Sequence, residues 1–213
     1  MNKLPIAVIA TFAALVPLLQ GCVPVVVGAG AGAAVLVATD RRTSGAYLED
    51  ETIENKAQSR INDKYKDAVH INATSYNRTV LLTGEVATAE VKADVEKITA
   101  EVANVKSVVN EVQIAAITSM SARTNDSYLT SKVKARFVDA NKFSANHVKV
   151  VSEAGTVFLL GMVTRKEGDD ATEIARTTGG VNKVVKLFEY VVLPPPPPPK
   201  PAEPPPTYGG GKI

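Results

Sequence analysis

The chain has 213 residues, a formal net charge of +2 and 22% charged residues. This length suits one ordinary domain or two small ones, and so balanced a charge gives no reason to expect a nucleic-acid partner. The single cysteine excludes an internal disulfide. With only two histidines in addition, an enzyme is the class of protein that we least expect.

The first 21 residues have the layout of an export signal. A short basic segment (residues 1–3) precedes an apolar stretch (residues 4–19). Pro5 and Pro17 interrupt that stretch, and it is shorter than the roughly 20 apolar residues that a transmembrane helix needs. We therefore predict that residues 1–21 are a signal peptide that is removed.

The cysteine ends the sequence Leu19-Gln20-Gly21-Cys22, directly after the apolar stretch. This tetrapeptide resembles the lipobox of bacterial lipoproteins, whose cysteine becomes the first residue and carries acyl chains such as palmitate. Two or more acyl chains hold a protein stably at a membrane. The resemblance makes Cys22 the lipidation site and its covalent lipid the only cofactor expected. Val23 in place of aspartate implies the outer membrane, with the protein facing the periplasm.

A run rich in glycine, alanine and valine follows over residues 23–38. Because the chain is already anchored, we predict that residues 22–45 form an acylated tether that lies against the bilayer or packs on the domains. The alternative is a second membrane pass, which would carry the folded domains back across the membrane.

The rest of the chain contains an internal duplication. Residues 80–86 recur as residues 157–163, at an offset of 77. Three further blocks match in the same order at offsets of 76 or 77, and they pair residues 53–61 with 129–137, 71–75 with 148–152, and 105–109 with 181–185. Such ordered matches indicate a tandem repeat.

Each copy has the same predicted order of elements, α-β-β-α-β. Its first helix carries apolar residues at every fourth position, Ile53 to Ile61 in copy one and Leu129 to Phe137 in copy two. Asp50 and Asp126 stand near the helix starts as predicted N-caps. The class is therefore α+β, with a two-layer domain and one small core per copy.

The later elements follow from alternating β-rich runs and a second amphipathic segment. The hairpin turns contain Asn77-Arg78 and Ala154-Gly155, which tolerate positive φ. The predicted strands are 69–75, 79–86 and 108–114, then 148–152, 156–163 and 184–192, and the predicted second helices are 89–103 and 166–178.

The most specific motifs are a Val-x-Leu-x-Gly-x-Val strand around Gly84 and Gly161 and a Gly-Val-x-x-Val turn that begins at Gly180. Copy one has Asn104 at the turn, and asparagine is the next best residue for a left-handed conformation. This pattern resembles the BON domain. With the lipobox and the Asp40-Arg41-Arg42-Thr43 stretch, the arrangement as far as about Leu193 resembles the dual-BON-domain outer-membrane lipoproteins of Gram-negative bacteria, the DolP-like family, whereas the tail that follows is not expected from that family.

The resemblance implies a BON domain over residues 46–117, a linker over 118–126 and a second BON domain over 127–193. Lysine and arginine number 8 against 12 acidic residues between 46 and 117, a net charge of −4; between 127 and 193 they number 10 against 7, a net charge of +3. Because the two copies share a fold but carry opposite net charges, we predict that they have different functions.

The difference concentrates on the first helix of copy two, predicted over residues 128–142. A basic amphipathic helix with an aromatic residue near its start suits anionic phospholipid, because lysines approach the phosphates and the ring lies at the acyl boundary. Members of the resembled family are associated with such binding through this helix, commonly with tryptophan where this chain has Tyr128. The predicted phospholipid-binding residues, for a lipid such as phosphatidylglycerol, are Tyr128, Leu129, Lys132, Lys134 and Arg136.

Other interpretations of the same residues remain open. The basic side chains could simply be the solvent-exposed face of the helix and bind no lipid, and Leu129 also fits the core. Arg136 matches Arg60 of the acidic copy, which suggests a structural role shared by the two arginines. The alternative function is a protein-interaction module or accessory factor in outer-membrane protein assembly, with envelope assembly proteins as partners. The first copy and the tail would then be the contact surfaces.

The two histidines predict no metal site. His70 and His147 differ by 77 and so occupy the same position in each copy, and no further ligands are spaced for zinc.

The C-terminal residues 194–213 begin with six consecutive prolines. Such a run favours polyproline II and joins neither helix nor sheet. We predict a disordered tail that acts as a spacer or as a ligand for an aromatic groove.

Overall fold

A computed structural model describes residues 40–192. The predicted signal peptide, the lipidation site at Cys22, most of the tether and the proline-rich tail lie outside these residues. Among the described residues, no helix combines the length and the apolar character needed to cross a bilayer.

Both repeats contain the predicted order α-β-β-α-β. The first repeat comprises α1 (Ser44–Tyr65), β1 (His70–Tyr76), β2 (Thr79–Val86), α2 (Ala89–Ala100), β3 (Ser107–Asn110) and β4 (Gln113–Ile114). The second comprises α3 (Met120–Ala140), β5 (Val148–Glu153), β6 (Thr156–Val163), α4 (Arg165–Arg176) and β7 (Lys183–Tyr190).

Each repeat forms one small sheet. In the first, β2 pairs antiparallel with β1 and parallel with β3 and β4; in the second, β6 pairs antiparallel with β5 and parallel with β7. The registers are equivalent, since Gly84 lies opposite Ile71 and Gly161 opposite Val148. The predicted strand 108–114 is divided into β3 and β4, because the Asn110 side chain accepts from Val112 N–H and donates to the Lys92 carbonyl.

Close backbone approach explains the glycine of the strand motif. A Cβ on Gly84, whose φ is +113°, would lie 1.9 Å from the His70 carbonyl oxygen. A Cβ on Gly161 would lie 2.4 Å from the equivalent oxygen of His147. Both distances are far below contact distance, so only glycine fits at these two positions.

The hairpin turns show why each repeat has a buried aspartate. Asn77, Arg78, Ala154 and Gly155 all have positive φ, as predicted. The Asp50 carboxylate accepts from the N–H groups of Asn77 and Arg78, and Asp126 accepts from those of Ala154 and Gly155. The prediction that these aspartates are N-caps was wrong: they lie within α1 and α3, where their carboxylates hold the turns, and the caps are Thr43 and Ser119.

Two separate cores lie between the helices and the sheet of each repeat. The core of copy one includes Ile53, Ala57 and Ile61 of α1, with Val80 and Leu82 of β2. The core of copy two is built from the equivalent positions, with α3 contributing Leu129, Val133 and Phe137. The predicted apolar spacing of the first helix is therefore confirmed.

A third apolar cluster joins the repeats, and the sequence analysis did not predict it. Tyr76 and Leu81 of the first sheet pack against Phe158 and Leu160 of the second. Neighbouring residues of β2 and β6 thus point alternately to their own core and to the other sheet, which is why both strands are almost continuously apolar. The layers run helices, sheet, sheet, helices, and each helix layer lies on an outer face.

Candidate functional site

The first helix of copy two lies in an outer layer of the molecule. The helix α3 begins after the N-cap Ser119 and is capped at its C-terminus by Asn141, whose φ of 47° is left-handed. Residues 120–126, which the sequence analysis assigned to a linker, are its first turns. Leu129, Val133 and Phe137 define its buried face, so the opposite face is turned away from both sheets.

Tyr128 lies on that outer face with 64% of its surface exposed. The Lys132 ammonium lies 6.0 Å from the centre of the Tyr128 ring and donates to the Gly179 carbonyl at 2.9 Å. Lys134 is exposed, and it lines a groove of about 500 Å³ with Tyr47 and Val138. Tyr128 and Lys134 are therefore accessible from outside, whereas Lys132 is half-buried.

Two predicted lipid-binding residues have structural roles instead. Leu129 is only 3% exposed and belongs to the core of copy two, so it does not reach a bilayer surface. The Arg136 guanidinium donates to the Ile174 carbonyl at 2.9 Å and to the Thr178 hydroxyl at 2.8 Å. Its counterpart Arg60 donates to the Glu101 carbonyl at 3.1 Å. In each repeat, therefore, this arginine connects the first helix to the C-terminal end of the second helix of the same repeat.

Two arginines that the sequence analysis mentioned only within the family resemblance join the start of the described chain to both repeats. The Arg42 guanidinium bonds to Asp40 and Asp50 and lies 4.0 Å from the centre of the Tyr76 ring. Arg41 donates to both carboxylate oxygens of Glu167 in copy two and to the Met162 carbonyl. The adjacent charges of Asp40, Arg41 and Arg42 were the feature of the sequence that could have indicated these contacts.

These contacts shift the acidity of the buried carboxylates. Burial opposes ionisation of Glu167, but hydrogen bonds from Arg41 and Thr164 outweigh it and lower its pKa to about 2. Burial likewise opposes ionisation of Asp50, yet hydrogen bonds from Ser75, from the turn and from Arg42 lower its pKa below the usual range. Both carboxylates are thus held in the charged form.

The two histidines have different partners, and no contact joins them among those described. His70 Nδ1 lies 2.9 Å from a Glu85 carboxylate oxygen, and His147 Nδ1 lies 3.5 Å from Glu167. The structure does, however, bring His70, Glu85 and Glu153 together, with their ligand atoms within 4.8 Å of one another. Sequence spacing could not reveal this cluster, because it depends on how the two sheets face each other.

Comparison with known proteins matches the two repeats to one family. The BON domain family matches residues 49–116 and 125–191. The chain is 41% identical over 175 residues to Outer membrane lipoprotein DolP of Haemophilus influenzae, which covers 81% of this chain and 90% of that protein. It is 30% identical over 154 residues to the 21 kDa hemolysin of Actinobacillus pleuropneumoniae, covering 71% of this chain and 79% of that protein.

Two solved structures of CdsD, a structural protein of the type III secretion system of Chlamydia trachomatis, also resemble part of the chain. They are 13% and 14% identical, cover 68% of this chain and 98% and 92% of theirs, and superpose with a TM-score of 0.28. At so low a TM-score the likeness bears on neither fold nor function. Because both repeats match and a relative is 41% identical over most of the chain, this protein belongs to the dual-BON-domain, DolP-like family of outer-membrane lipoproteins.

Proposed function

We propose that this protein is a non-enzymatic envelope protein, anchored by acylated Cys22 and facing the periplasm, that binds anionic phospholipid through α3 and supports outer-membrane integrity. The observation that carries the proposal is the exposure of Tyr128 and Lys134 on the outer layer of the basic repeat. A helix covered by the other repeat would have no room for a bilayer.

The chemistry of this surface suits a weak interfacial contact. A tyrosine places an apolar ring at the acyl boundary and keeps its hydroxyl in water. A lysine near an anionic surface contributes on the order of 1 kcal/mol. Val138, which is 65% exposed, adds apolar area on the same helix. We therefore define the lipid-binding surface as Tyr128, Lys132, Lys134 and Val138.

The anchor explains why weak binding is sufficient. Acyl chains on Cys22 would confine the protein to one leaflet, so that α3 meets the lipid at an effective concentration in the millimolar range. In this mechanism the anchor determines the membrane, and α3 determines which lipid patches the protein occupies.

Vesicle flotation of a form that begins at Asp40, and so contains both cores but no acyl chain, tests the proposal. We expect it to float with phosphatidylglycerol vesicles and not with phosphatidylcholine vesicles, and to release as salt rises, because salt screens exposed charges. Tyr128→Ala and Lys134→Glu should each weaken flotation severalfold.

The duplication offers a matched control. Lys56 is the counterpart of Lys132 in the acidic repeat, so Lys56→Glu makes the same charge change on α1 and should leave flotation unchanged. The matched variant is Lys132→Glu, which should weaken flotation. Equal losses from Lys56→Glu and Lys132→Glu would mean that only net charge matters, and unchanged binding in all variants would remove α3 from the site.

A protein-interaction role is the second candidate, and one observation favours it. Tyr47 and Leu48 are 43% and 59% exposed on α1 of the acidic repeat, beside Glu49 and Glu51. An apolar pair within an acidic surface suits a basic, partly apolar protein partner. Loss of partner capture from intact envelopes in Leu48→Glu, with flotation unchanged, would support this role.

A further inference from the structure

One end of the contact between the two sheets contains a buried polar cluster. His70 and Glu85 lie opposite each other on β1 and β2, and Glu153 reaches them from β5 of the second repeat. Glu85 and Glu153 are 3% and 7% exposed, and the His70 side chain is 14% exposed. The ligand atoms of the three residues lie within 4.8 Å of one another, so two carboxylates and an imidazole share a small volume.

Among the described residues, no lysine or arginine is recorded in an ion pair with Glu85 or Glu153. Burial raises the pKa of Glu153, although the Asn72 amide and the hydroxyl of Thr83 favour its ionised form. Arg123 lines the adjacent cavity, but its described hydrogen bond goes to the Thr118 carbonyl at 3.2 Å. Two neighbouring buried carboxylates repel each other unless a proton or a cation lies between them.

The duplication shows that the fold does not require these acids. The counterparts of Thr83 and Glu85 in copy two are Leu160 and Met162, and the counterpart of Glu153 in copy one is Tyr76. At that equivalent end of the contact, the Tyr76 hydroxyl accepts from Met162 N–H at 3.3 Å, and both Tyr76 and Leu160 join the apolar cluster. Equivalent positions in the contact between the sheets are therefore occupied by aromatic and apolar side chains at one end of the contact and by the acids Glu85 and Glu153 at the other end.

A second observation points to a ligand. The Thr83 hydroxyl is buried, with the residue 1% exposed, and it has no hydrogen-bond partner among the described residues. It interacts with the Glu153 carboxyl, but the two groups do not meet the geometry of a hydrogen bond. An unpartnered hydroxyl in so buried a position costs free energy unless something else occupies its lone pairs. A metal ion, or a water bound to one, would do so.

Glu85 is also held as a metal ligand usually is. One of its carboxylate oxygens accepts from the N–H and the hydroxyl of Thr118, both at 3.3 Å. On the other side, the Asn72 amide donates to Glu153 at 3.1 Å. Such outer contacts fix the direction of ligating carboxylates. A cavity of about 330 Å³, lined by His70, Asn72 and Glu153, gives access from solvent.

We propose that His70, Glu85 and Glu153 bind a divalent transition metal, with zinc as the best fit, at the junction of the two repeats. Neutral imidazole and carboxylate oxygen are ordinary zinc ligands, and three protein ligands leave a position for water beside Thr83. Because metal ligands must be deprotonated, binding would release protons and weaken at low pH. The metal would cross-link the repeats, since His70 and Glu85 belong to one and Glu153 to the other.

Calorimetric titration of zinc into the metal-free, acylated full chain in detergent, without a histidine tag, tests this site. We expect one zinc ion per chain and a rise in the melting temperature on saturation. Glu153→Gln should weaken zinc affinity by more than about 100-fold, because loss of even an outer contact costs roughly 10- to 100-fold. Without zinc, this variant should be at least as stable as the native chain, since it removes one of two repelling charges.

His147→Ala is the matched control, because His147 is the counterpart of His70 in the other repeat. This variant should bind zinc as the native chain does, whereas His70→Ala should not. Absence of zinc binding, or equal loss from both histidine variants, would overturn the proposal. So would Glu153→Gln retaining native affinity.

Discussion

Asp126 illustrates how a single buried residue determines a local fold. Its carboxylate accepts from the N–H groups of Ala154 and Gly155, and Ala154 has a φ of 48° that few residues with a Cβ adopt. Asp50 does the same for the turn of copy one. Sequence spacing located both aspartates but not their partners, because the turns they hold lie more than 20 residues away.

Replacing this carboxylate should therefore destabilise the whole second repeat. We expect Asp126→Ala to lower the free energy of unfolding by about 2–4 kcal/mol, because two buried hydrogen bonds to a charged acceptor are lost and the turn becomes strained. Urea denaturation followed by circular dichroism measures the difference. Asp139→Ala, at an exposed position on the same helix, should change stability by no more than about 0.5 kcal/mol, and equal effects would contradict this role for Asp126.

Among the predicted lipid-binding residues, sequence alone separated surface from core only in part. Tyr128 and Lys134 are accessible, whereas Leu129 is buried and Arg136 is bonded to the end of α4. The periodicity that places Leu129 with Val133 and Phe137 already indicated the core. The match between Arg136 and Arg60 already indicated a shared contact. Periodicity and the repeat thus identify Leu129 and Arg136 as structural residues, whereas Tyr128, whose counterpart is Thr52, is a candidate for function.

At the scale of the elements, order and type were predictable and boundaries were not. Hydrophobic periodicity located the helices and strands of both copies, because the apolar face of each element follows directly from its pitch. The first turns of α3 were missed since residues 120–127 contain serine, threonine and asparagine, which have modest helix propensity. Their helical state depends on the Ser119 cap and on continuity with the packed part of the helix.

The second missed feature belongs to β2 and β6. Both strands are apolar on adjacent positions, which is typical of strands covered on both faces. One core per copy, as predicted from the sequence, leaves the outer faces of the sheets without a partner. The third apolar cluster, with Leu81 and Phe158, supplies that partner. A continuous apolar strand in a two-layer domain therefore predicts a further packing surface.

At the scale of the whole molecule, the two repeats form one sandwich through their sheets. This arrangement leaves the helices outside, so that α3 is available to a bilayer and α1 to another partner. It also creates the His70, Glu85 and Glu153 cluster, which no spacing within one repeat predicts. Arg41, at the start of the described chain, also donates a hydrogen bond to Glu167 of the second repeat.

The pair of Arg41 and Glu167 predicts a specific dependence of stability on pH. The pKa of Glu167 is lowered from 4.5 to about 2 in the folded protein. Its contribution to the free energy of unfolding is therefore fully present above about pH 4.5 and is lost as pH falls toward 2, by up to about 3 kcal/mol. Urea denaturation at several pH values should show a smaller loss over this range in Arg41→Met than in the native chain.

Arg176 provides the control for this measurement. It pairs with Glu173 on α4, but both side chains are more than half exposed, so the pair contributes little. Arg176→Met should follow the pH dependence of the native chain. The same pH dependence in native, Arg41→Met and Arg176→Met proteins would exclude Arg41 as the cause of the acidity of Glu167.

The central claim is that the outer face of α3 touches lipid while the equivalent face of α1 does not. A photoreactive residue placed at Tyr128, and separately at its counterpart Thr52, measures this directly after illumination of intact envelopes. We expect phospholipid adducts from position 128 and none from position 52. Protein adducts alone from position 128, or equal lipid labelling at both positions, would contradict it.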